Sequence, residues 1–330
     1  MAERTAFVTG GTGFLGLNLV EQLVAQGWQV TALHRPTSDT RLLRQFPVRL
    51  VEGDILDPAS PRRAVPAGVD AVFHVAADIS MWSGHADRQT RINVEGTRHV
   101  VAAALDAGAG RLVHTSTWNT YGLGQGEISE ELPQRGGETG ANYDRSKLLA
   151  EQEVRAGAAR GLDAVIVNPS HIMGRYDRKG WARLLVMARE RWMPGVPPGA
   201  GTFCHAEEVA KAHIAAAERG RRGANYLMSG ADASFVELFA VINEVTGSRV
   251  PLRPLPAALF RVPARLAGAW GSLSGREPAM TPQGVENALR RARVVSRRAE
   301  QELGYRPAPL RAMVEDSWRW LCAEGLVKAG

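Results

Sequence analysis

Only two cysteines, Cys204 and Cys322, occur in the 330 residues. They stand too far apart in the chain to suggest a disulfide framework, and a reducing, cytoplasmic setting fits such scarcity. Long hydrophobic runs are missing too. The best candidate, Leu255 to Trp270, is interrupted by Arg261 and Arg265, which argues against a spanning helix. That segment is expected to cover a substrate pocket, with contact to a membrane or a partner as the alternative. A strand pattern begins almost at the first residue and leaves no room for a signal peptide. Neither sign of charge dominates: 40 basic residues face 34 acidic ones, for a net charge of +6. So small an excess does not call for nucleic acid, and an anionic cofactor would be enough to use a local positive patch. The arginine run Arg290, Arg291, Arg293, Arg297 and Arg298 reads as a solvated helix face. No Walker loop and no Gly-x-Ser-x-Gly elbow occurs. None of the eight histidines shows zinc-site spacing, so no metal is expected, and His205 and His213 read as packing or pocket-rim residues.

What is present is an ordinary globular composition, 45% hydrophobic and 22% charged, in a chain long enough for one large domain with a cap, or for two. Ala6-Phe7-Val8 reads as a first strand. Leu15, Leu19 and Leu23, with Val20 and Val24, form one face of a helix that Gly27 ends. Further strands are expected at Gln29 to Leu33, Val48 to Val51, Ala71 to Val75, Arg111 to His114 and Ala164 to Val167, with helices near Asn93 to Ala107 and Tyr143 to Arg160. Strands separated by helices imply an α/β fold built on a doubly wound parallel sheet. After Pro169 the pattern changes. Residues 193–201 are rich in proline and glycine and read as a loop, and the last third carries proline-marked turns. Trp181, Trp192, Trp318 and Trp320 read as packing residues there.

The first turn carries the strongest motif. Glycines 11, 13 and 16 fit G-x-G-x-x-G, and glycines 10, 13 and 16 fit the wider G-x-x-G-x-x-G. Either spacing permits a tight turn, close approach of backbone to a pyrophosphate, and tight packing of helix on strand. The motif follows a strand and opens an amphipathic helix, the context a dinucleotide needs. Gly10, Thr12, Gly13, Phe14, Leu15 and Gly16 are therefore expected to hold the cofactor. A site preferring NAD carries an acidic residue about 20 positions on. Here His34-Arg35 follows the second strand, with Ser38 and Arg41 beyond. A guanidinium can pair with the extra phosphate of NADP, which a carboxylate would repel. NADP(H) is the expected cofactor, with NAD(H) the alternative; the plain reading of Arg35 is a solvated loop charge.

Tyr143-Asp144-Arg145-Ser146-Lys147 places a phenol and an ammonium four residues apart, on one helix face. A nearby ammonium favours the phenolate and makes the tyrosine a better proton exchanger. The preceding strand ends in His114-Thr115-Ser116-Thr117, rich in hydroxyls that could hold a substrate oxygen against the phenol. Ordinary turn and cap chemistry would also explain them.

Together with Gly53-Asp54-Ile55, His74-Val75-Ala76-Ala77, Asn93-Val94-Glu95-Gly96-Thr97, Asn168-Pro169-Ser170 and Cys204-His205-Ala206-Glu207-Glu208-Val209-Ala210, these motifs make the sequence resemble the extended short-chain dehydrogenase/reductases (the NAD-dependent epimerase/dehydratase family) over nearly its whole length. It is most similar to the dihydroflavonol-4-reductase-like group. The resemblance implies a Rossmann-type dinucleotide domain over residues 1–170, with parts of 203–230. A smaller C-terminal substrate lobe would comprise 171–202 and 231–330. It implies Thr117 as the catalytic hydroxyl, Tyr143 as general acid/base and Lys147 as the residue that holds the nicotinamide ribose and tunes Tyr143. Asn93 would help position a relay water, with plain helix packing as the alternative. Asp54 and Ile55 would meet the adenine, Val75, Ala76 and Ala77 the middle of the cofactor, and Pro169 to His171 the nicotinamide end. Trp82, Trp118, His171 and Phe203 stand beside these motifs and are candidates for lining the pocket. Dehydratases of this branch follow the catalytic threonine with Asp-Glu; here Trp118-Asn119 stands instead, which argues against sugar dehydration. The expected activity is hydride transfer between NADP(H) and a carbonyl or alcohol carbon of a small organic substrate. Alternatives are a nucleotide-sugar epimerase with tightly bound NAD, and a non-catalytic dinucleotide sensor. A homodimer is compatible with the sequence.

Overall fold

The computed structural model describes residues 3–122, 126–190 and 193–327; Trp192 lies outside them. Twelve strands run in chain order: β1 (Thr5–Thr9), β2 (Gln29–His34), β3 (Val48–Glu52), β4 (Ala71–His74), β5 (Arg111–Thr115), β6 (Gly126–Ile128), β7 (Ala164–Pro169), β8 (His171–Met173), β9 (Ala200–His205), β10 (Asn225–Met228), β11 (Ala231–Ser234) and β12 (Ala292–Val294). Seven of them form one sheet in the order β10-β7-β5-β4-β1-β2-β3, with every pairing parallel. The order reverses between β1 and β4, so the carboxyl ends of these strands open a crevice there. The expected doubly wound parallel sheet is borne out.

Helices cover both faces. The first, α1 (Phe14–Ala25), packs with Ala206–Arg219 on one side, where Leu19, Val20 and Leu23 meet Val8, Ala32 and Ile214. On the other side Gly96–Asp106 packs against Asn142–Ala159, with Val100, Val101 and Val154 against Phe7, Val72 and Ile166. Strands buried on both faces need continuous apolar runs, and Ala164–Pro169 is buried at all six positions. The expected helix from Asn93 starts earlier. Ala86–Thr90 runs through a widened π turn at Arg91–Glu95 into Gly96–Asp106. Gly96 sits against Ile55, where a Cβ would be crowded at 2.6 Å.

Beyond β7 a second core forms between Ala182–Glu190, Phe235–Thr246 and Leu310–Ala323, around Leu185, Phe203, Phe239 and Met313. A three-stranded sheet, β11-β9-β8, joins it to the large sheet. Trp181, Trp318 and Trp320 pack against this core. The arginine run is not one helix face. It crosses β12, and four of its members pair with acids: Arg290 with Asp144, Arg293 with Asp232, Arg297 with Glu127 and Arg298 with Glu131.

Candidate active site

The glycine loop leaves β1 and enters α1. Gly10 adopts φ 75°, and a Cβ there would stand 2.6 Å from the Ala76 amide nitrogen. A Cβ on Gly16 would overlap the Gly10 carbonyl, and one on Gly13 would stand 3.2 Å from it. Gly11 would meet only ordinary contacts, the first at 3.5 Å. The wider 10/13/16 spacing is therefore the one the backbone needs. No side chain caps α1, and its first turn holds no acidic residue. Its leading N–H groups and positive dipole end therefore face the cleft without a protein anion. A cradle with no room for a Cβ and an uncapped helix start fit the pyrophosphate of a dinucleotide.

That cleft has a volume of about 620 Å³. Along it lie Gly10, Thr12, Gly13, Phe14, Leu15 and Gly16 at one end. His34, Arg35, Asp54 and Ile55 line the rim, Val75, Ala76 and Ala77 the middle, and Thr117, Tyr143, Lys147 and Pro169 the far end. Asp54 spends one carboxylate oxygen on the Leu56 amide at 2.9 Å, and the Ser60 hydroxyl accepts its backbone N–H. Arg35 is exposed, and among the described residues no carboxylate pairs with it. Arg41 is not in the cleft: its guanidinium pairs with Glu324, which also holds Arg178 at 3.1 Å. His171 is not in it either. Its ring lies among Trp118, Trp181 and Phe203, where burial pushes its pKa down to about 4 and keeps it neutral. Trp82, Trp118 and Phe203 are buried beside the cleft and do not line it.

The Thr117 hydroxyl accepts from the Asn119 amide at 3.3 Å, which starts the short turn Trp118–Tyr121. In Asn142–Ala159, Tyr143 and Lys147 face the same cavity. Burial pushes the Tyr143 phenol up to about 12, against the opposing pull of the Thr117 hydroxyl. Lys147 is not among the groups that lower it, and its ammonium donates to the Thr115 carbonyl at 2.7 Å. Burial also lowers Lys147 to about 8, opposed by the Glu151 carboxylate. The phenol thus holds its proton throughout the neutral range.

Thr115, Ser116 and Ser170, from the hydroxyl-rich strand end and the expected nicotinamide end, line the cleft; Asp78 and Arg88 line it too and were not singled out from the sequence. Ser116 donates at 2.5 Å to Glu151, which is fully buried and accepts also from Asn168, Gln134 and Asn225. The signal for it was available, since Tyr143, Lys147 and Glu151 repeat every four residues along one helix face. Asn93 donates to the Asp78 carbonyl and Ser146, and its oxygen accepts the Asp78 amide at 2.8 Å. It ties the loop after β4 to the helix of Tyr143. Asn119, at one of the dehydratase positions, donates to Asp144 at 2.8 Å. His213 is buried against Thr115 and the Val209 carbonyl, and His205 caps Ala206–Arg219 through the Glu207 amide.

A family model described as the NAD dependent epimerase/dehydratase family matches residues 6–228. The chain belongs to that family. A Synechocystis protein provisionally named as a dihydroflavonol 4-reductase is 34% identical over 98% of this chain and 96% of its own. The 4-hydroxy-2-methyl-3-oxo-4-farnesyl-3,4-dihydroquinoline-1-oxide ketoreductase of Stigmatella aurantiaca is 32% identical over 91% of each chain. The crystal structure of gox2253 superposes with a TM-score of 0.84 at 31% identity, covering 99% of this chain and all of the other. The resemblance to extended short-chain dehydrogenase/reductases is borne out. The chain is an oxidoreductase that works with a nicotinamide dinucleotide.

Proposed function

We propose that the protein is an NADP(H)-dependent reductase of a carbonyl group on a small organic substrate, with Thr117, Tyr143 and Lys147 as its catalytic set. The observation that carries this reading is that Thr117, Tyr143 and Lys147 share one cleft with the glycine loop. A reduced nicotinamide bound at the far end would supply the hydride. Thr117 and Tyr143 would hydrogen-bond the substrate oxygen. Tyr143, protonated through the neutral range, would give up its proton to that oxygen as negative charge develops there. Lys147 would hold the ribose hydroxyls and, once turned from Thr115, favour the phenolate left behind. Gly10, Gly13 and the start of α1 would carry the pyrophosphate, Asp54 and Ile55 the adenine, and Arg35 the 2′-phosphate. The guanidinium of Arg35, which no carboxylate pairs with among the described residues, supports NADP over NAD, whereas Arg41 is engaged elsewhere. The lobe of residues 171–202 and 231–330 would hold the rest of the substrate. The Stigmatella relative, a named ketoreductase, supports net reduction.

The test supplies the purified protein with NADPH or NADH and a panel of ketones, aldehydes and flavanonols. NADPH-driven reduction, abolished in Tyr143→Phe, is the expected result. Full turnover by that variant would overturn the catalytic assignment, and a strong NADH preference the role of Arg35. Co-purified NAD together with sugar isomerisation and no net redox change would make the protein an epimerase instead.

A further inference from the structure

We propose that the outer face of helix Ala258–Ser274 docks the protein on a bilayer surface that carries anionic lipid. The helix is 17 residues long. It buries Ala264 and Gly271, with Gly268 and Gly271 close against Pro282 and Pro278. Its opposite face carries Leu259, Val262, Leu266, Trp270 and Leu273, each between 55% and 83% exposed. At 3.6 residues per turn these five fall within an arc of about 80°. Single exposed apolar residues are ordinary on a soluble protein, but a continuous row of large ones marks a contact surface.

The charge around the row says what it contacts. Residues 249–280 hold five arginines (Arg249, Arg253, Arg261, Arg265 and Arg276) and one acidic residue, Glu277. Arg261 is paired with Glu286 at 2.7 Å. Arg261 and Arg265 run along one margin of the apolar row, and the other three lie beyond its ends. An apolar face bordered by arginines suits a helix lying in the headgroup region, with guanidiniums at lipid phosphates. A second copy fits less well, because a two-fold contact would set these arginines against each other. No described helix is long and apolar enough to cross a membrane, so this one lies on the surface.

The position of the helix gives the docking a purpose that does not depend on the reaction proposed above. Just past its end, Glu277 accepts a hydrogen bond from Ser80 at 2.7 Å. Ser80 belongs to the loop whose Asp78 and Ile79 line the cleft, and Ile79 is 66% exposed. A docked helix therefore sets the cleft mouth beside the lipid, where a membrane-dissolved molecule could enter.

The test is co-sedimentation of the full chain with vesicles of phosphatidylcholine alone or mixed with phosphatidylglycerol, at low and high salt. The expected result is binding to the mixed vesicles that salt weakens, with affinity for phosphatidylcholine alone lower by about ten-fold or more. Leu266→Gln/Trp270→Gln/Leu273→Gln should abolish binding while circular dichroism stays unchanged. Arg253→Gln/Arg265→Gln/Arg276→Gln, at exposed positions, should bring binding to the mixed vesicles down to the level of phosphatidylcholine alone. Absence of binding by the unmodified chain, or binding indifferent to the arginine substitutions, would overturn the proposal. So would a dimer in sedimentation velocity that the apolar substitutions dissociate, since the face would then join two copies of the chain.

Discussion

Two side chains four residues apart are forced in opposite directions by the same burial. Tyr143 is pushed up to about 12 and Lys147 down to about 8, so each favours its neutral form. Replacing Tyr143 by Phe keeps the ring and removes the proton; kcat for carbonyl reduction should fall by about 10²- to 10⁴-fold with little change in fold, as steady-state kinetics would register. For Lys147 the sign follows from burial. Its unfolded value is near 10.5, so between about 8 and 10.5 the folded chain binds fewer protons than the unfolded one. Stability contributed by this group therefore rises with pH across that window, and below it the cost of burying the ammonium is fully present. Its affinity for the dinucleotide should change the other way, weakening as pH rises through about 8, and Lys147→Arg should flatten that profile in a fluorescence titration of NADPH. At the rim, Arg35→Glu should weaken NADPH by roughly 10- to 100-fold, the worth of a charge-assisted hydrogen bond, and spare NADH. The residue scale is also where sequence spacing informed least. Arg35 and Arg41 look alike in the chain, but Arg41 is held by a carboxylate 283 residues away. His171 borders Pro169 and Ser170, yet an alternation of side chains along β8 turns it into an aromatic cluster.

Elements were more legible than residues. Six of the seven strands of the large sheet carry apolar runs bounded by glycine, and local spacing marked those six to within a residue or two, whereas β10 was not marked. The glycine loop was legible for the same reason, since its requirements are steric and local. The short strands β8, β9 and β11 were not, because three to six residues leave little period to read and their pairing is decided by partners far along the chain. The π turn at Arg91–Glu95 was hidden too, as an extra residue in a helical turn barely changes the apolar spacing. Elements of the second lobe have their own local devices. Phe235–Thr246 begins with a capping box in which Ser234 and Glu237 satisfy each other's backbone amides. Ser234→Ala should lower unfolding free energy by about 1 kcal/mol in a urea titration and leave KM for the dinucleotide unchanged.

On the scale of the whole molecule, two cores are joined through β9 and its neighbours, and the cleft is lined from the side of the large sheet. A ligand that binds only the folded chain stabilises both by mass action. At a hundred times its dissociation constant NADPH should add about 2.7 kcal/mol to the unfolding free energy, whereas NADH at the same concentration should add less. Thermal denaturation with each dinucleotide would measure the difference. The second core is a separate source of cohesion. Phe239→Ala, in its fully buried centre, should cost about 3–5 kcal/mol. The all-parallel order of the large sheet gives one further consequence, for the sequence in which the chain is made. The seventh strand, β10, is separated from its neighbour β7 by the excursion through β8 and β9. A nascent chain that has reached only Pro169 would present β7, an apolar strand, as an open template for other chains. Sealing that edge waits for Asn225–Met228, so the dinucleotide half should be prone to aggregate during synthesis until roughly two-thirds of the polypeptide has emerged.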